Sequence, residues 1–446
     1  MIKTEKNPLA KPFNTASLII FAAPSMVMML FSGLYTIVDT IFVARFVHTN
    51  ALSSINIVCP VINLIVGLGT MLGAGGSALV AKKMGSRQVD EARRDFTLIV
   101  ITGIIIGFLI SVVGLLFLDD IIWGLGASKL LFPYCKDYLT VQLMFAVGNI
   151  LQVLYQNLFV TAGKPSLGLI LSVLAGIANI IFDYIFIVLL HMGIKGAAFG
   201  TVIGYMIPSI IGTVFFLAKR GELYFCKPSM DTCVLLKSCS NGASEMVSQL
   251  STAITTFLFN MTMMHLLGED GVAAITVIIY SGFLLTTLTI GFSMGVAPVI
   301  SYNFGSGNVR QLKNVFRISF GFIMVISIFV FLFSFFEGEQ IARIFAGNNS
   351  SVFQITKMGF AIFSFSFLFS GCNIFASAFF TSLSNGKASA LISFLRTFGF
   401  IMASLLILPK FLQVIGVWLA IPVAEFLTIV LTIYLIVKHR KHYNYL

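Results

Sequence analysis

Five ionisable side chains interrupt long apolar stretches of the chain: Asp39, Asp183, Glu245, Arg396 and Glu425. An ionisable group inside a lipid bilayer costs several kcal/mol, so each of them is a candidate functional residue. Asp39 and Asp183 carry the clearest chemistry, because two neighbouring carboxylates in a medium of low dielectric constant cannot both ionise cheaply. Such a pair retains a proton or shares a cation, which is what a proton- or sodium-coupled transporter requires.

The depths of these side chains place four oxygen-bearing groups at one level of the predicted membrane. At a rise of ~1.5 Å per residue, Asp39 lies ~9 Å and Asp183 ~12 Å inside the same face. Asn179 is one helical turn from Asp183, and Thr201 lies ~8 Å inside the next span. Asp39, Asn179, Asp183 and Thr201 are therefore predicted to form a cation-coupling site. A structural pair of buried acids, hydrogen-bonded to the Asn and Thr side chains, is the alternative.

Bulky polar side chains recur at helical spacing in two other spans, and a buried amide without a partner costs a few kcal/mol. One stripe comprises Tyr138, Gln142, Asn149, Gln152 and Gln156, and a second begins with Glu245 and Gln249. Tyr35 lies one turn from Asp39, where a ring beside a carboxylate suits a flat cation. We expect these residues to line a substrate cleft; hydrogen bonding between helices is the alternative.

Arg396 and Glu425 are interpreted differently. Arg396 lies eight residues into its span, where it can pair with the deeper Glu425 or with Glu245 in the same leaflet. A buried ion pair of this kind sets helix packing, so we expect Arg396 and Glu425 to be structural buried charges. Glu245 would then remain to attract a cationic substrate into an otherwise apolar cleft.

The composition determines which class of protein holds these residues. Of the 446 residues, 58% are hydrophobic and 10% are charged, and the mean hydropathy is +0.99. These values exclude a soluble enzyme, a disordered chain and a disulfide scaffold. Charge breaks separate twelve apolar spans, at about 14–44, 51–80, 96–118, 131–161, 167–190, 196–217, 239–266, 271–301, 315–336, 353–383, 388–409 and 414–437. A bilayer crossing takes ~20 apolar residues, so we predict an all-α polytopic membrane protein.

Positive charge is distributed unequally between the two sides of these spans. Six lysines and arginines fall in loops on one side, two lie within spans, and the other twenty fall on the opposite side. By the positive-inside rule both termini are cytoplasmic, and the even number of spans agrees. The net charge of +11 is therefore explained by membrane topology, and no nucleic-acid partner is expected.

The sequence repeats at an offset of 220 residues. Residues 22–95 align without gaps on residues 242–315, so that residues 82–86 match 302–306 and Gly75 matches Gly295. Six spans separate the copies, which gives both the same orientation. Two six-helix lobes related by a pseudo-two-fold axis along the membrane normal are therefore expected. The predicted division is an N-terminal lobe at 1–218, a cytoplasmic linker at 219–238 and a C-terminal lobe at 239–446.

The sequence lacks the motifs of other energy sources and of metal catalysis. It contains no G-x-x-x-x-G-K-[ST] and no H-E-x-x-H, and its six cysteines include no C-x-x-C pair. No histidine or cysteine cluster falls at membrane depth. We therefore expect no enzyme activity, no metal site and no cofactor beyond a coupling ion, H⁺ or Na⁺. An ion gradient would supply the energy.

Four features of the sequence form a recognisable set: Ala23-Pro24-Ser25 with residues 35–44 (YTIVDTIFVA), the Gly-rich segment 67–85, AGKP at 162–165 and NIIFD at 179–183. Together they resemble the multidrug and toxic compound extrusion (MATE) family, most closely its bacterial DinF/MepA-like branch. The resemblance covers essentially the whole chain, including the repeat. It implies a first helix kinked at Pro24 and a V-shaped cleft between the lobes. It further implies a monomeric antiporter of amphipathic, mostly cationic compounds in the cell inner membrane, working by alternating access.

The resemblance also implies roles for particular residues. The family's first-helix Asp falls on Asp39, its fifth-helix Asn and Asp on Asn179 and Asp183, and its sixth-helix Thr on Thr201. The chain departs from the sodium-coupled NorM-type branch, which has acids in the seventh and tenth helices. Here span ten has no acid, and Glu245 lies nearer the start of span seven. Protons are therefore favoured over sodium as the coupling ion.

Other functions remain open from the sequence. A lipid or oligosaccharide flippase of the same superfamily would favour a more basic cleft than one with a single intramembrane arginine. A dedicated metabolite exporter would share every feature above. A membrane-embedded enzyme would need a nucleophile–base or metal constellation at membrane depth. A channel is disfavoured because the acids cluster in one lobe.

Overall fold

The part of the chain that the structure describes is mostly helical. The computed structural model describes residues 7–445 except 48, 220, 230 and 347–349, and no strand occurs among them. The helices are α1 (Thr15–Phe46), α2 (Thr49–Gly85), α3 (Val89–Leu116), α4 (Leu118–Gly124), α5 (Phe132–Met144), α6 (Ala146–Thr161), α7 (Pro165–Asp183), α8 (Gly193–Leu217), α9 (Thr232–Gly305), α10 (Val309–Ala346), α11 (Ser350–Phe363), α12 (Phe367–Ser382), α13 (Gly386–Phe394) and α14 (Ile401–Tyr443). Two π-helical turns, Tyr184–Leu189 and Leu395–Phe400, extend α7 and α13. The predicted all-α class is confirmed.

Helix α9 and the continuous helical segment from Gly386 to Tyr443, which comprises α13, a π-helical turn and α14, each cross the membrane twice. The 74 residues of α9 would extend ~110 Å as one straight helix, against a bilayer core of ~30 Å. Gly268 breaks α9 with φ 66° and ψ −148°, and Gln413 breaks α14 with φ 50° and ψ −127°. The chain reverses direction at the first break. The reversal brings Gly271 against Met263, so that a Cβ atom on Gly271 would lie 2.9 Å from the Met263 carbonyl oxygen. The chain reverses at the second break in the same way.

These reversals bring the number of crossings among the described residues to twelve. Nine continuous helical segments are long and apolar enough to cross a membrane, and α5 with α6 forms a tenth span that is bent by 58°. The breaks in α9 and α14 divide two of these segments into two crossings each. The twelve predicted spans are confirmed. The bend at Phe145 was not predicted, since the apolar run from 131 to 161 is continuous in sequence.

Backbone turns repeat with the same period as the sequence. Arg87 and Gly307 have φ values of 64° and 67°, and Gly193 and Gln413 have values of 59° and 50°. Each pair is separated by the 220 residues of the sequence repeat. The position equivalent to Gly268 is residue 48, which lies outside the described residues. Helices α1–α8 therefore form an N-lobe, and α9–α14 form a C-lobe of the same topology.

The two lobes touch backbone to backbone near one end of the bundle, the terminal face, where α1 begins and α14 ends. A Cβ atom on Gly75 would lie 2.7 Å from the Gly242 nitrogen, and one on Gly295 would lie 2.9 Å from Ala22 Cα. The 220-residue offset converts Gly75 to Gly295 and Gly242 to Ala22. The two contacts are therefore equivalent, as a pseudo-two-fold axis between the lobes requires.

A third close contact lies on that axis. A Cβ atom on Gly85 would lie 2.9 Å from the Tyr302 carbonyl carbon, and one on Gly305 would lie 2.8 Å from the Lys82 carbonyl carbon. The 220-residue offset relates Gly85 to Gly305 and Lys82 to Tyr302, so the pseudo-two-fold axis maps this contact onto itself. We call these three contacts the lobe seam. They hold the lobes together near the terminal face and leave the opposite end of the bundle, the far face, outside the seam.

Residues 7–14 cross the terminal face and join the two lobes. The Asn7 amide nitrogen donates to the Glu222 carboxylate at 2.7 Å, and Arg93 of α3 holds the Glu222 carbonyl at 2.8 Å. At the other end, the Phe13 carbonyl accepts a 2.7 Å hydrogen bond from the Asn314 amide of α10. This N-terminal strap is thus bonded to the linker beside the N-lobe and to the first turn of the C-lobe's third span.

Part of the predicted linker at 219–238 is helical. Helix α9 begins at Thr232, so residues 232–238 of the predicted linker are helical. Asp231 starts the helix, because its carboxylate accepts a 2.9 Å hydrogen bond from the Cys233 nitrogen. Two residues of the predicted linker, at 220 and 230, lie outside the described part of the chain.

We predict that Gly75→Ala destabilises the protein. The added Cβ atom would meet the Gly242 backbone nitrogen at 2.7 Å, and backbone on both sides leaves little room for relaxation. Overpacking of this kind costs about 1–3 kcal/mol. Thermal unfolding of the purified protein in detergent measures the effect. Gly321→Ala is the matched control, since a Cβ atom there meets no atom within 4 Å. Equal melting temperatures for the two variants would contradict the seam.

Candidate functional site

Asp39 on α1 and Asp183 at the end of α7 face each other inside the N-lobe. Their carboxyl groups lie within hydrogen-bonding range, and Asp183 is fully buried. Asp39 Oδ1 and both oxygens of Asp183 are buried without a well-formed hydrogen bond, and neither side chain forms a salt bridge with a described lysine or arginine. An ionised carboxylate only accepts hydrogen bonds. The acid pair can therefore bond to itself only when one member holds a proton.

Gly200 of α8 makes room for the Asp183 carboxyl. A Cβ atom on Gly200 would collide with Asp183 Oδ1 and would lie 3.0 Å from its Cγ. Any larger residue at this position must therefore displace the carboxyl group. Sequence analysis missed Gly200 because it considered only polar side chains as site residues.

A glycine stripe on α8 explains how α7 and α8 approach so closely. Gly196, Gly200 and Gly204 follow one another at intervals of four residues. A Cβ atom on Gly196 would lie 3.0 Å from the Phe186 carbonyl oxygen, and one on Gly204 would lie 3.3 Å from the Ala175 carbonyl oxygen. Small residues at this spacing let membrane helices pack backbone to backbone. The pattern was visible in the sequence and would have identified the cradle of Asp183.

The other two predicted coupling residues differ in their relation to the acid pair. Asn179 is buried one turn before Asp183 and close to it, but its amide nitrogen and oxygen make no well-formed hydrogen bond. Thr201 donates its hydroxyl proton to the Ala197 carbonyl at 3.0 Å and faces the Tyr138 hydroxyl. Asn179 thus joins the acid pair, whereas Thr201 lies beside it in a tyrosine layer.

Three tyrosines form that layer between Asp39 and the neighbouring helices. Tyr35 faces Gln152, Tyr138 faces Gln142 and Thr201, and both rings lie near Asp39. Tyr205 of α8 lies among the same groups and was missed by sequence analysis. It follows Thr201 by one helical turn, so the spacing of α8 would have placed it on the same face.

The amides behind the tyrosines are incompletely paired. Gln142 Nε2 and Gln152 Oε1 are buried without a hydrogen-bond partner among the described residues. Each such atom costs about 1–3 kcal/mol. Unpaired buried polar atoms on two helices, close to an acid pair that also lacks partners, are typical of a site that binds an ion, water or a ligand.

The bend at Phe145 divides the predicted polar stripe of the fourth span into two parts. Tyr138 and Gln142 belong to α5 and face the tyrosine layer. Gln156 on α6 instead donates to the Ser172 hydroxyl of α7 at 3.4 Å, within the N-lobe. Asn149 is buried on α6 with no side-chain partner recorded among the described residues. The five residues therefore do not lie on one straight helical face, and their role in a substrate cleft stays a prediction.

Glu245 and Gln249 lie apart from the acid pair, on the first half of α9. Gln249 contacts α2, since a Cβ atom on Gly67 would lie 3.5 Å from the Gln249 Cβ atom. Glu245 is half-buried and is attracted by the positive charge of Arg396. These two residues therefore lie where the lobes meet, on the C-lobe side.

The charged residues deep in the C-lobe form a closed network. Arg396 Nε lies 2.8 Å from Glu425 Oε1, and Asn373 Nδ2 donates to Glu425 Oε2 at 2.8 Å. The Thr432 hydroxyl donates to Asn373 Oδ1 at 2.9 Å. Both carboxylate oxygens of Glu425 thus have donors. This C-lobe network is satisfied by the protein itself, in contrast to the acid pair of the N-lobe.

Pro24 lies inside α1, which is continuous on both sides of it. Proline lacks an N–H group, so the Ile20 carbonyl loses its helical hydrogen bond there. The second half of α9 contacts α1 at this point, because a Cβ atom on Gly291 would lie 2.6 Å from Met26 Cα. Helix α1 is not interrupted at Pro24, and bending there remains a prediction.

The MatE family model matches the chain twice, at residues 24–185 and 246–406, once in each lobe. The chain is similar to the multidrug export protein MepA of Staphylococcus saprophyticus, with 22% identity over 380 residues that cover 84% of this chain and 83% of the relative. It is also similar to MepA of Staphylococcus aureus, with 25% identity over 378 residues and 82% of each chain covered.

A solved structure shares the fold. It is described as the outward-facing conformation of a multidrug resistance MATE family transporter of the MOP superfamily. It superposes on this chain with a TM-score of 0.92 at 22% identity, and 99% of each chain is covered. The resemblance seen in the sequence is thus confirmed by matches that include both lobes, and the chain is a multi-pass membrane protein that belongs to the MatE family of transporters.

Proposed function

We propose that the protein is a secondary active exporter that exchanges protons for amphipathic, mostly cationic small molecules by alternating access. The observation that carries this proposal is the acid pair, Asp39 and Asp183, which is buried together and has no basic partner among the described residues. Such a pair must neutralise part of its charge with an ion taken from outside the protein. Binding and release of that ion is the elementary step of coupled transport.

A proton fits this pair better than sodium. The two carboxyl groups are close enough to share a hydrogen bond, which forms only with a proton between them. The C-lobe offers a contrast that favours coupling in the N-lobe. Its buried acid Glu425 already has a hydrogen-bond donor at each carboxylate oxygen, so it needs no external ion. Loss of the proton would leave two carboxylates side by side, and this repulsion would favour rearrangement around α1.

The substrate class is proposed from the surroundings of the acid pair and from the relatives. Tyr35, Tyr138 and Tyr205 place aromatic rings near Asp39, and Tyr280 of the C-lobe lies near Cys59 of the same region. Aromatic rings beside carboxylates suit flat cations. The MepA relatives are named multidrug export proteins. Glu245 and Gln249 would meet the same substrate from the C-lobe.

The lobe seam supports a cleft that opens toward the far face. Its three backbone contacts lie near the terminal face, while the acid pair lies in the far half of α1. The excess of lysine and arginine on the terminal side supports a cytoplasmic position for this face in the bacterial inner membrane. One chain supplies both lobes of the cleft, so a monomer suffices. Alternating access then requires the seam to part, with α1 bending at Pro24.

We predict that Asp183→Asn and Asp39→Asn each abolish gradient-driven export. Asparagine keeps the size of the side chain but cannot take up and release a proton. The measurement is transport of a fluorescent cationic dye by purified protein in vesicles with an imposed pH gradient. Asp120→Asn, at an exposed position on the far face, is the matched control and should keep full activity.

The same vesicles identify the coupling ion. A sodium gradient at equal pH on both sides should drive no transport. A protonophore should stop the transport that a pH gradient drives. Export that survives in both Asp variants would overturn the coupling site. Transport driven only by sodium would retain the site and change the ion. A protein that moves no dye but responds to lipid or to a single metabolite would be a flippase or a dedicated exporter.

We predict that Gly200→Ala lowers export at least roughly tenfold while both aspartates remain present. The new methyl group would occupy the position of Asp183 Oδ1 and force the carboxyl group away from Asp39. Overpacking of this size, about 1–3 kcal/mol, is sufficient for that effect. Gly168→Ala on α7 is the matched control, because its nearest contacts would be an ordinary 3.6–3.7 Å. The same dye assay, at equal protein content, compares the two. Unchanged export by Gly200→Ala would show that the cradle is dispensable.

A further inference from the structure

A basic cavity opens on the terminal face where α10 begins. Its volume is about 620 Å³, and it is lined by Arg310, Lys313 and Arg317 together with three amide side chains and Pro12 of the N-terminal strap. No acidic side chain is among the lining residues. Arg310 and Arg317 are exposed and form no ion pair with the described residues. The cavity therefore concentrates positive charge beside the membrane.

Two of the lining amides are already engaged. Gln311 and Asn314 donate hydrogen bonds of 3.1 and 2.7 Å to the Phe13 carbonyl. They fix the strap against the first turns of α10 and form one wall of the cavity. A ligand would therefore be recognised by the cations, and it would lie directly against the strap.

The cavity continues into an exposed apolar stripe of α10. Arg317 is followed on the same helical face by Gly321, Met324 and Ile328, at intervals of four, three and four residues. Met324 and Ile328 are exposed, and a Cβ atom on Gly321 would meet no atom within 4 Å. Positive charge at the end of an open apolar groove matches a molecule with an anionic head and a hydrocarbon tail.

The sequence repeat does not impose this arrangement. The N-lobe positions equivalent to Arg310 and Arg317 are Asp90 and Thr97. There the linker covers the helix, and the Cys226 nitrogen donates to the Thr97 hydroxyl at 3.1 Å. The two arginines of the basic cavity thus have no counterparts at the equivalent described positions of the N-lobe.

We propose that this cavity binds the phosphate headgroup of an anionic phospholipid, with an acyl chain lying along the Gly321 stripe. Arg310 and Arg317 neutralise the headgroup, each as a juxtamembrane cation near an anionic leaflet. The bound lipid contacts Pro12 and so holds the strap in place across the terminal face. Anionic lipid therefore stabilises the form of the protein in which the lobe seam is closed.

The test is a thermal unfolding titration of the full-length protein in a neutral detergent, with phosphatidylglycerol or phosphatidylcholine added. Phosphatidylglycerol should raise the melting temperature and phosphatidylcholine should not. The double variant Arg310→Gln/Arg317→Gln should need roughly tenfold more phosphatidylglycerol for the half-maximal rise. Arg317→Gln alone should lie between the double variant and wild type. The control Arg94→Gln/Lys227→Gln removes two exposed cations from the terminal face, one on α3 and one on the linker, and should titrate like wild type.

Two results would overturn the proposal. Equal titrations of wild type and Arg310→Gln/Arg317→Gln would show that the arginines do not bind lipid. The second result is a rise in melting temperature with inorganic phosphate that equals the rise with phosphatidylglycerol. If chloride of equal ionic strength gave no such rise, the cavity would be a site for free phosphate. The experiment requires no transport, so its outcome is independent of the proposed exchange function.

Discussion

The N-lobe buries two carboxyl groups against each other without a basic partner among the described residues. Asp39 and Asp183 face each other, and the described chain supplies no positive charge to neutralise either one. The fold brings them together through close backbone packing, since Gly200 leaves the space that the Asp183 carboxyl occupies. The π-helical turn that begins directly after Asp183 widens the helix at this point, and such turns are frequent at functional sites. The arrangement costs free energy unless a proton or another cation joins it, which makes ion binding a structural requirement of the N-lobe.

The two lobes have the same backbone topology but differ in their buried acidic residues. The positions equivalent to Asp39 and Asp183 in the C-lobe are Phe259 and Ala403, so the repeat carries no second acid pair. Glu425, by contrast, occupies the position equivalent to Tyr205, and there it is fully paired within its own lobe. The acid pair of the N-lobe thus lacks a basic partner among the described residues, whereas Glu425 of the C-lobe has one. The lobe seam connects them through α1, whose Pro24 lies against the second half of α9. A rearrangement of α1 caused by the acid pair would therefore act directly on the contact between the lobes.

Hydropathy, charge bias and the 220-residue repeat predicted the class, the twelve crossings and the two lobes, because each depends on features that are local or periodic in sequence. The partner of Asp39 was predictable at the level of depth, and Asp183 does lie beside it, with Asn179 next to Asp183. Side-chain orientation was not predictable in the same way. Thr201 donates to its own helix, and the break at Phe145 directs Gln156 away from Gln142. Gly200 and Tyr205 were missed because their importance arises from contacts between α7, α8 and α1. The spacing of Gly196, Gly200 and Gly204 was nevertheless a usable signal for that packing.

The most direct test of the central claim is infrared difference spectroscopy of the purified protein with and without tetraphenylphosphonium, an amphipathic cation. If the acid pair holds a proton that the substrate displaces, the carboxylic acid C=O band should fall on binding while the carboxylate bands rise. Asp183→Asn should lack this change, and Asp120→Asn should retain it. A spectrum in which saturating substrate leaves the carboxylic acid band unchanged, or in which Asp183→Asn behaves like wild type, would contradict proton exchange at Asp39 and Asp183.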